Sequence, residues 1–461
     1  MLTVEKIGGT SMSKFDDVLK NIIKAAPKKE GLYNRIFVVS AYSNVTNWLL
    51  EHKKTGEKGI YSRFEENQDY KNAMDDLLEK LTDINRKFEH IGLNQSEADA
   101  FITERIEQAK SYLTNLGAVL ATGYVSKTNI LLAAREILAS IGEAHSAFNS
   151  VNILKNNDIN AHFVDLCGFD DEEYLTIDER ISRELKKVDF KNTIAIATGY
   201  TKGTEGIMRE FDRGYSEVTF SKIAVAVNAD EAVIHKEFHL SSADPNIVGL
   251  EKSIPVGHTN YNVADQLADV GMEAIHPKAS KPLELAGINI RVKNTFEPAH
   301  PGTLISRDYR EKAPRVEIIT GTDKVVAIEV HDPLMVGSVG FDRGIMTVFE
   351  SNNISYILKS TNANSITQVI WEKDLTETLI NELKEKYFQV ITQKCALVCA
   401  LGTNVARPGI VAKATSAMAE KNINISALSL SLMQVNIQFV IQRESYEDAV
   451  IALNDALCYT K

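Results

Sequence analysis

The chain has 461 residues, of which 44% are hydrophobic and 25% charged, and a net charge of −11 at pH 7. This composition allows a large core and two to four domains, and the acidic balance excludes a broad nucleic-acid or anionic-membrane surface, which needs a concentrated basic face. No apolar run reaches the ~20 residues of a membrane helix, no signal-peptide pattern opens the chain, and Cys167, Cys395, Cys399 and Cys458 are too scattered for a disulfide framework or a zinc site, so core thiols, no metal centre and a cytoplasmic location are expected.

In chain order, Leu2 to Ile7 alternates as a strand, Gly8-Gly9 makes a turn, and Ser13-Lys-Phe-Asp16 reads as a capping box opening a helix. Phe15, Val18, Leu19, Ile22 and Ile23 share one face of that helix. Strand, glycine turn and helix leave backbone N–H groups free where the helix dipole favours an anion, and glycine lets a phosphate come close. Lys6 adds a movable charge and Thr10 and Ser11 add hydroxyl donors, which together predict nucleotide phosphate binding; a plain tight turn is the alternative for the same residues.

Short apolar runs at Ile36–Ser40, Ala161–Asp165, Thr193–Thr198 and Ile288–Val292 alternate with helical stretches, which predicts an α/β sandwich. Residues 48–120, rich in Lys, Glu and Asn with helical spacing, read as a helical insertion. A second glycine-bearing stretch, Thr198 to Gly206, precedes Phe211-Asp-Arg-Gly-Tyr-Ser-Glu217 and an apolar helix to Asn228. Ser216 reads as its N-cap, and Arg213 offers a planar fork for a carboxylate or phosphate. Tyr309 to Arg315 has the charge and proline of a linker. Beyond it a weak repeat appears: Val325–Val330, a helix over 343–352 and Asn353-Ile-Ser, then Cys395–Leu401, a helix from Pro408 to 421 and Asn422-Ile-Asn-Ile-Ser. Each copy reads strand, loop, helix, strand, suggesting paired βαββαβ units that act as a ligand-sensing surface or as a dimerisation module.

Lys6-Ile-Gly-Gly-Thr-Ser11, Val39-Ser-Ala41, Val45-Thr-Asn47, Gly142-Glu143, Arg213-Gly-Tyr-Ser-Glu217, Asn228-Ala-Asp-Glu231, Ala243-Asp-Pro245, Ile275-His-Pro277 and Asn294 to Thr303 stand in the order seen in aspartate kinases. Across nearly its whole length the chain resembles that family. The resemblance implies a three-layer amino-acid-kinase sandwich with a mainly parallel sheet over 1–308, followed by two ferredoxin-like ACT units at 316–390 and 391–461, either continuous or interleaved. It also implies transfer of the γ-phosphoryl group of ATP, with Mg²⁺, to the side-chain carboxylate of L-aspartate, the first step toward lysine, threonine and methionine. By motif position, Lys6, Gly8, Gly9 and Ser11, with Lys236, Asp244 and Lys278, would serve the nucleotide. Ser40, Thr46, Glu143 and Arg213 would bind aspartate, and Lys6, Glu143, Arg213 and Glu217 would carry catalysis.

Several positions depart from the family's pattern. Tyr215 and Asp212 replace glycines of the turn, and Asp212 is a candidate to help bind Mg²⁺. The stretch His235-Lys-Glu-Phe-His239 replaces the usual nucleotide loop, leaving Phe238 either against adenine or in the core and Lys236 either on a phosphate or solvated. Lys278 stands for a frequent arginine. Met335, Ser338, Gly340, Phe341 and Asp342 resemble the loop where relatives bind lysine, but Ile357 replaces an expected aspartate and Asp342 is the candidate substitute. Lysine is the expected effector and ACT pairing the expected route to a homo-oligomer. A non-catalytic amino-acid sensor and a kinase of another amino-acid carboxylate are the alternatives.

Overall fold

The computed structural model describes residues 1–461 apart from 26–28, 54, 170, 212–213, 273–274 and 460–461. Two compact units divide it, one made of Met1–His239 with His276–Gly302, the other of Leu240–Ile275 with Thr303–Lys461. Segment 240–275, within the 1–308 kinase domain that the family resemblance implies, packs with the C-terminal strands. Its Leu240, Val256, Val263 and Leu267 share a core with Ile318, Val325, Leu397 and Leu401.

In the first unit β1 (Thr3–Ile7), β2 (Arg35–Val39), β3 (Ala161–Val164), β4 (Ile194–Thr198), β5 (Glu231–Lys236) and, after β6 (His258–Asn260) of the second unit, β7 (Asn289–Asn294) run parallel in the order β3-β4-β2-β1-β5-β7. β2 and β4 read Arg-Ile-Phe-Val-Val and Ile-Ala-Ile-Ala-Thr, the near-continuous apolar runs of strands covered on both faces. β1 lies at the centre, with Lys6 level with Val38 on one side and Ile234 on the other.

The helix after the glycine turn is Gly9–Met12, and a second short helix follows at Phe15–Val18. The expected capping box is absent because the Ser13 hydroxyl donates back to the Gly9 carbonyl (3.1 Å), closing the first helix instead of capping the second. The predicted apolar face is nonetheless buried at Phe15, Val18, Leu19, Ile22 and Ile23. The insertion is helical at Ile60–Glu65, Tyr70–Lys87 and Gln95–Thr122, and it packs on the long helix Lys127–Lys155. Asp69, Asn94 and Ser126 cap the three longer helices.

In the second unit β6 pairs in parallel with β8 (Thr303–Ser306). The remaining strands, β9 (Ile318–His331), β10 (Leu358–Thr361), β11 (Ser365–Trp371), β12 (Gln389–Leu401), β13 (Ile425–Leu430) and β14 (Asn436–Gln442), form an antiparallel sheet ordered β10-β11-β9-β12-β14-β13. The two long strands serve both repeats: Val325–His331 pairs with Gln389–Cys395, while Ile318–Thr322 pairs with Leu397–Leu401. Each repeat helix, Phe341–Ser351 and Ile410–Glu420, starts after a glycine with φ near +90° (Gly340 at 89°, Gly409 at 91°). Each ends before an asparagine in the left-handed region, Asn353 (55°) and Asn422 (56°), which explains the repeated Asn-Ile of the sequence. Residues 309–315, expected as a linker, are tied to the second repeat: Arg310 donates to the Asn404 side chain and the Glu311 amide to the Thr403 hydroxyl.

Candidate active site

The first unit gathers its ionisable groups at the C-terminal ends of β1, β2 and β4, where parallel sheets open toward ligands. Lys6 projects from β1 to the helix Tyr215–Ala226, and its Nζ lies 3.3 Å from Glu217 Oε1. The other oxygen of Glu217 accepts from the His276 amide (2.6 Å). Burial alone would raise the Glu217 carboxyl, but Lys6, Lys236 and that amide hold it below its usual range, so it is a carboxylate that fixes Lys6.

Glu143 lies in the buried half of the helix Lys127–Lys155 and is 2% exposed. Its Oε1 accepts from the Ser216 hydroxyl (2.6 Å), and the nearby backbone amides of Ala41 and Tyr200 favour its ionised form. Its Oε2 is buried and has no hydrogen-bond partner among the described residues. Burial pushes this carboxyl up to about 8, against the opposing pull of Ser216, Lys6 and the two amides. The site therefore offers one open, desolvated acceptor beside a cation, an arrangement suited to an incoming ammonium group.

Two glycines permit this assembly through close approach and not through positive φ. A Cβ on Gly9 would stand 2.6 Å from the Ala41 carbonyl oxygen, and one on Gly142 would stand 2.8 Å from Ala41 Cβ and 2.9 Å from Val45 Cγ1. The loop after β2 is thus pressed between the glycine turn and the long helix. Ser40 belongs to this loop; its amide donates to the Ile7 carbonyl (3.1 Å) and its carbonyl accepts from Ser146. Thr46 lies half-buried in the short helix Val45–Leu49.

Other predicted residues take different places. Ser11 is fully buried, its hydroxyl on Glu237 (3.2 Å) and Thr295 (3.1 Å). Ser216 is inside the helix that Gly214 caps; it does not cap that helix, because its hydroxyl serves Glu143. Phe238 is 72% exposed, so the core reading of this residue is wrong. Lys236 is half-buried at the end of β5 and lowers the Glu217 carboxyl, so it is not a solvated surface lysine. Lys278 donates to the Glu210 carbonyl (2.9 Å) and lies over the Phe211 ring. Asp244 caps the helix Pro245–Val248 in the second unit. Arg213 and Asp212 lie outside the described residues. In the loop expected to take an effector, Ser338 donates to the Leu334 carbonyl, Met335 ends a 3₁₀ turn, and Phe341 tilts against Tyr387. The Asp342 carboxylate already holds Lys359 Nζ at 2.8 Å. Sequence reasoning missed the amides of Ala41 and Tyr200, whose roles depend on contacts far apart in the chain.

The profile of the amino acid kinase family matches residues 1–294, and that of an ACT domain matches residues 398–457. Aspartate kinase Ask_Ect of Stutzerimonas stutzeri is 46% identical over 99% of this chain and 97% of its own length. The chain belongs to the aspartate kinases of the amino acid kinase family. Among more distant aspartate kinases, aspartokinase 2 of Arabidopsis thaliana is 24% identical over 99% of this chain and 84% of its own length. The solved aspartate kinase of Clostridium acetobutylicum shares the fold with a TM-score of 0.76 at 22% identity, covering 99% of this chain and all of its own. Escherichia coli aspartokinase III, in complex with aspartate and ADP, does so with 0.74 at 19% identity over 99% of both chains.

Proposed function

We propose that the chain transfers the γ-phosphoryl group of ATP to the side-chain carboxylate of L-aspartate, giving 4-phospho-L-aspartate and ADP. The observation that carries this reading is Glu143, a buried carboxyl with one oxygen satisfied by Ser216 and the other open, within the field of Lys6. Glu143 takes the α-ammonium of aspartate, while Ser40, Thr46 and Arg213 serve its α-carboxylate. The acceptor carboxylate is already a nucleophile at neutral pH, so alignment is required and a general base is not. One of its oxygens bonds to the γ-phosphorus as the bond to the β,γ-bridging oxygen breaks, and the electron pair leaves on ADP.

Lys6 stabilises the charge on the transferring group, and Glu217 keeps its ammonium from swinging away. Gly8 and Gly9 let the phosphates approach the amides of the turn, with Ser11 fixing the turn from behind through Glu237 and Thr295. Lys236 and Lys278 are further nucleotide candidates. Mg²⁺ enters with ATP, and Asp212 is the candidate residue to help hold it. The ion would reduce the negative charge of the phosphates.

The C-terminal repeats serve regulation, with L-lysine as effector at the loop Met335–Asp342. They also serve homo-oligomerisation, supported by the exposure of Leu428 and Leu430 (42% and 41%) on the sheet-edge strand β13. The test is acyl phosphate formation with ATP and Mg²⁺, trapped by hydroxylamine, comparing L-aspartate, L-glutamate and no amino acid. Hydroxamate from aspartate alone is expected. None from aspartate in a folded sample that binds it would leave a sensor, and a larger signal from glutamate would reassign the substrate.

A further inference from the structure

Tyr42, Asn85, His145 and Asn149 form a polar cluster, each 0–2% exposed, where the helical insertion meets the long helix. The Asn85 side-chain oxygen accepts from His145 Nε2 (2.6 Å) and Asn149 Nδ2 (2.7 Å), and Asn149 Nδ2 also reaches the Tyr42 hydroxyl (3.3 Å). The Asn85 amide nitrogen donates to Asp99 (2.7 Å). Tyr42 is wedged between Phe88 (5.5 Å) and the His145 ring edge (5.4 Å). A buried polar cluster is costly unless its groups are hydrogen-bonded, and the bonds then specify one geometry; here two acceptors, His145 Nδ1 and Asn149 Oδ1, have no partner among the described residues.

The geometry it specifies is that of the loop after β2. Three successive residues of that loop are held by one stretch of helix: the Ser40 carbonyl by Ser146, the Ala41 side chain against Gly142 beside Glu143, and the Tyr42 side chain by His145 and Asn149. The Ala41 carbonyl in turn meets the glycine turn at Gly9. We propose that Tyr42, Asn85, His145 and Asn149 are positioning residues that set Ala41 between the phosphate turn and Glu143, making the helical insertion part of the apparatus that aligns acceptor and donor. This rests on the reading of Glu143 as the anchor of the acceptor.

The test compares His145→Leu, which removes the donor to Asn85, with His145→Gln, whose amide nitrogen can replace Nε2. Kinetics with L-aspartate and ATP are read beside thermal melting. His145→Leu should raise KM for aspartate about tenfold and lower kcat, with KM for ATP within about twofold, a modest share of the ~10²-fold that a 1 Å misplacement can cost. His145→Gln should restore both. Asn85→Ala, approaching from the insertion, should reproduce the loss and stands in if His145→Leu does not fold. Lower melting temperatures with unchanged kinetics in an active background would overturn the positioning role alone. A wild-type chain that phosphorylates no aspartate would overturn the functional reading and this inference with it.

Discussion

Replacing Glu143 by glutamine removes a titration that should dominate the pH dependence of aspartate use. Burial lifts the Glu143 carboxyl to about 8, against an ordinary 4.5, and only the ionised form can hold an ammonium group. With that value about one molecule in ten is ionised at pH 7 and about one in a hundred at pH 6. kcat/KM for aspartate, which reports ionisations of the free enzyme, should therefore climb about tenfold per pH unit below pH 8 and level off above it. Glu143→Gln should abolish the slope and lower the plateau roughly 10- to 150-fold, the worth of a hydrogen bond to a charged group at about 1.5–3 kcal/mol. Stability supplies an independent reading. Because the folded value lies above the unfolded one, the folded state binds more protons between about 4.5 and 8. The contribution of this group is complete below that window and is lost as pH rises through it, by about 1.4 kcal/mol per unit at most. Glu143→Gln should thus melt at a higher temperature than the parent above pH 8. A flat parental kcat/KM between pH 6 and 8, or the same slope in Glu143→Gln, would refute the reasoning.

Lys6→Ala should lower kcat about 10²-fold or more in the hydroxamate assay, as removal of one preorganised stabilising group does elsewhere, and near-normal turnover would refute its role. Gly142→Ala puts a methyl group 2.8 Å from Ala41 Cβ, so the loop after β2 must shift; KM for aspartate should rise while the circular-dichroism spectrum stays parental, and unchanged KM would refute the pressed-loop geometry. At the proposed L-lysine site the ammonium of the effector has to displace Lys359 from Asp342, so Lys359→Ala should be inhibited at lower L-lysine concentration than the parent. Equal inhibition curves would remove Asp342 from the effector site.

Much of the kinase unit was legible in the sequence because parallel strands covered on both faces must be short apolar runs, and β1, β2, β3, β4 and β7 lie within a few residues of where such runs occur. The repeat was legible for a local reason too: a helix that stops at an asparagine in the left-handed region leaves the same Asn-Ile mark twice. What was not legible depended on contacts between distant segments. Ser13 and Ser216 both carry the residue type of an N-cap, yet a hydroxyl makes whichever bond its surroundings offer, and here those are the Gly9 carbonyl and the Glu143 carboxylate. Segment 240–275 has no local signal for its partner, and its core with Ile318 and Leu397 assigned it to the second unit. The sequence by itself determined the elements, the family and the identity of the ionisable groups, because periodicity and motif order are local. Tertiary structure alone decided that Glu217 holds Lys6, that Glu143 keeps one oxygen open, and that Tyr42 is set among Asn85, His145 and Asn149, because burial and hydrogen-bond partnership arise only when segments up to 211 residues apart are brought together.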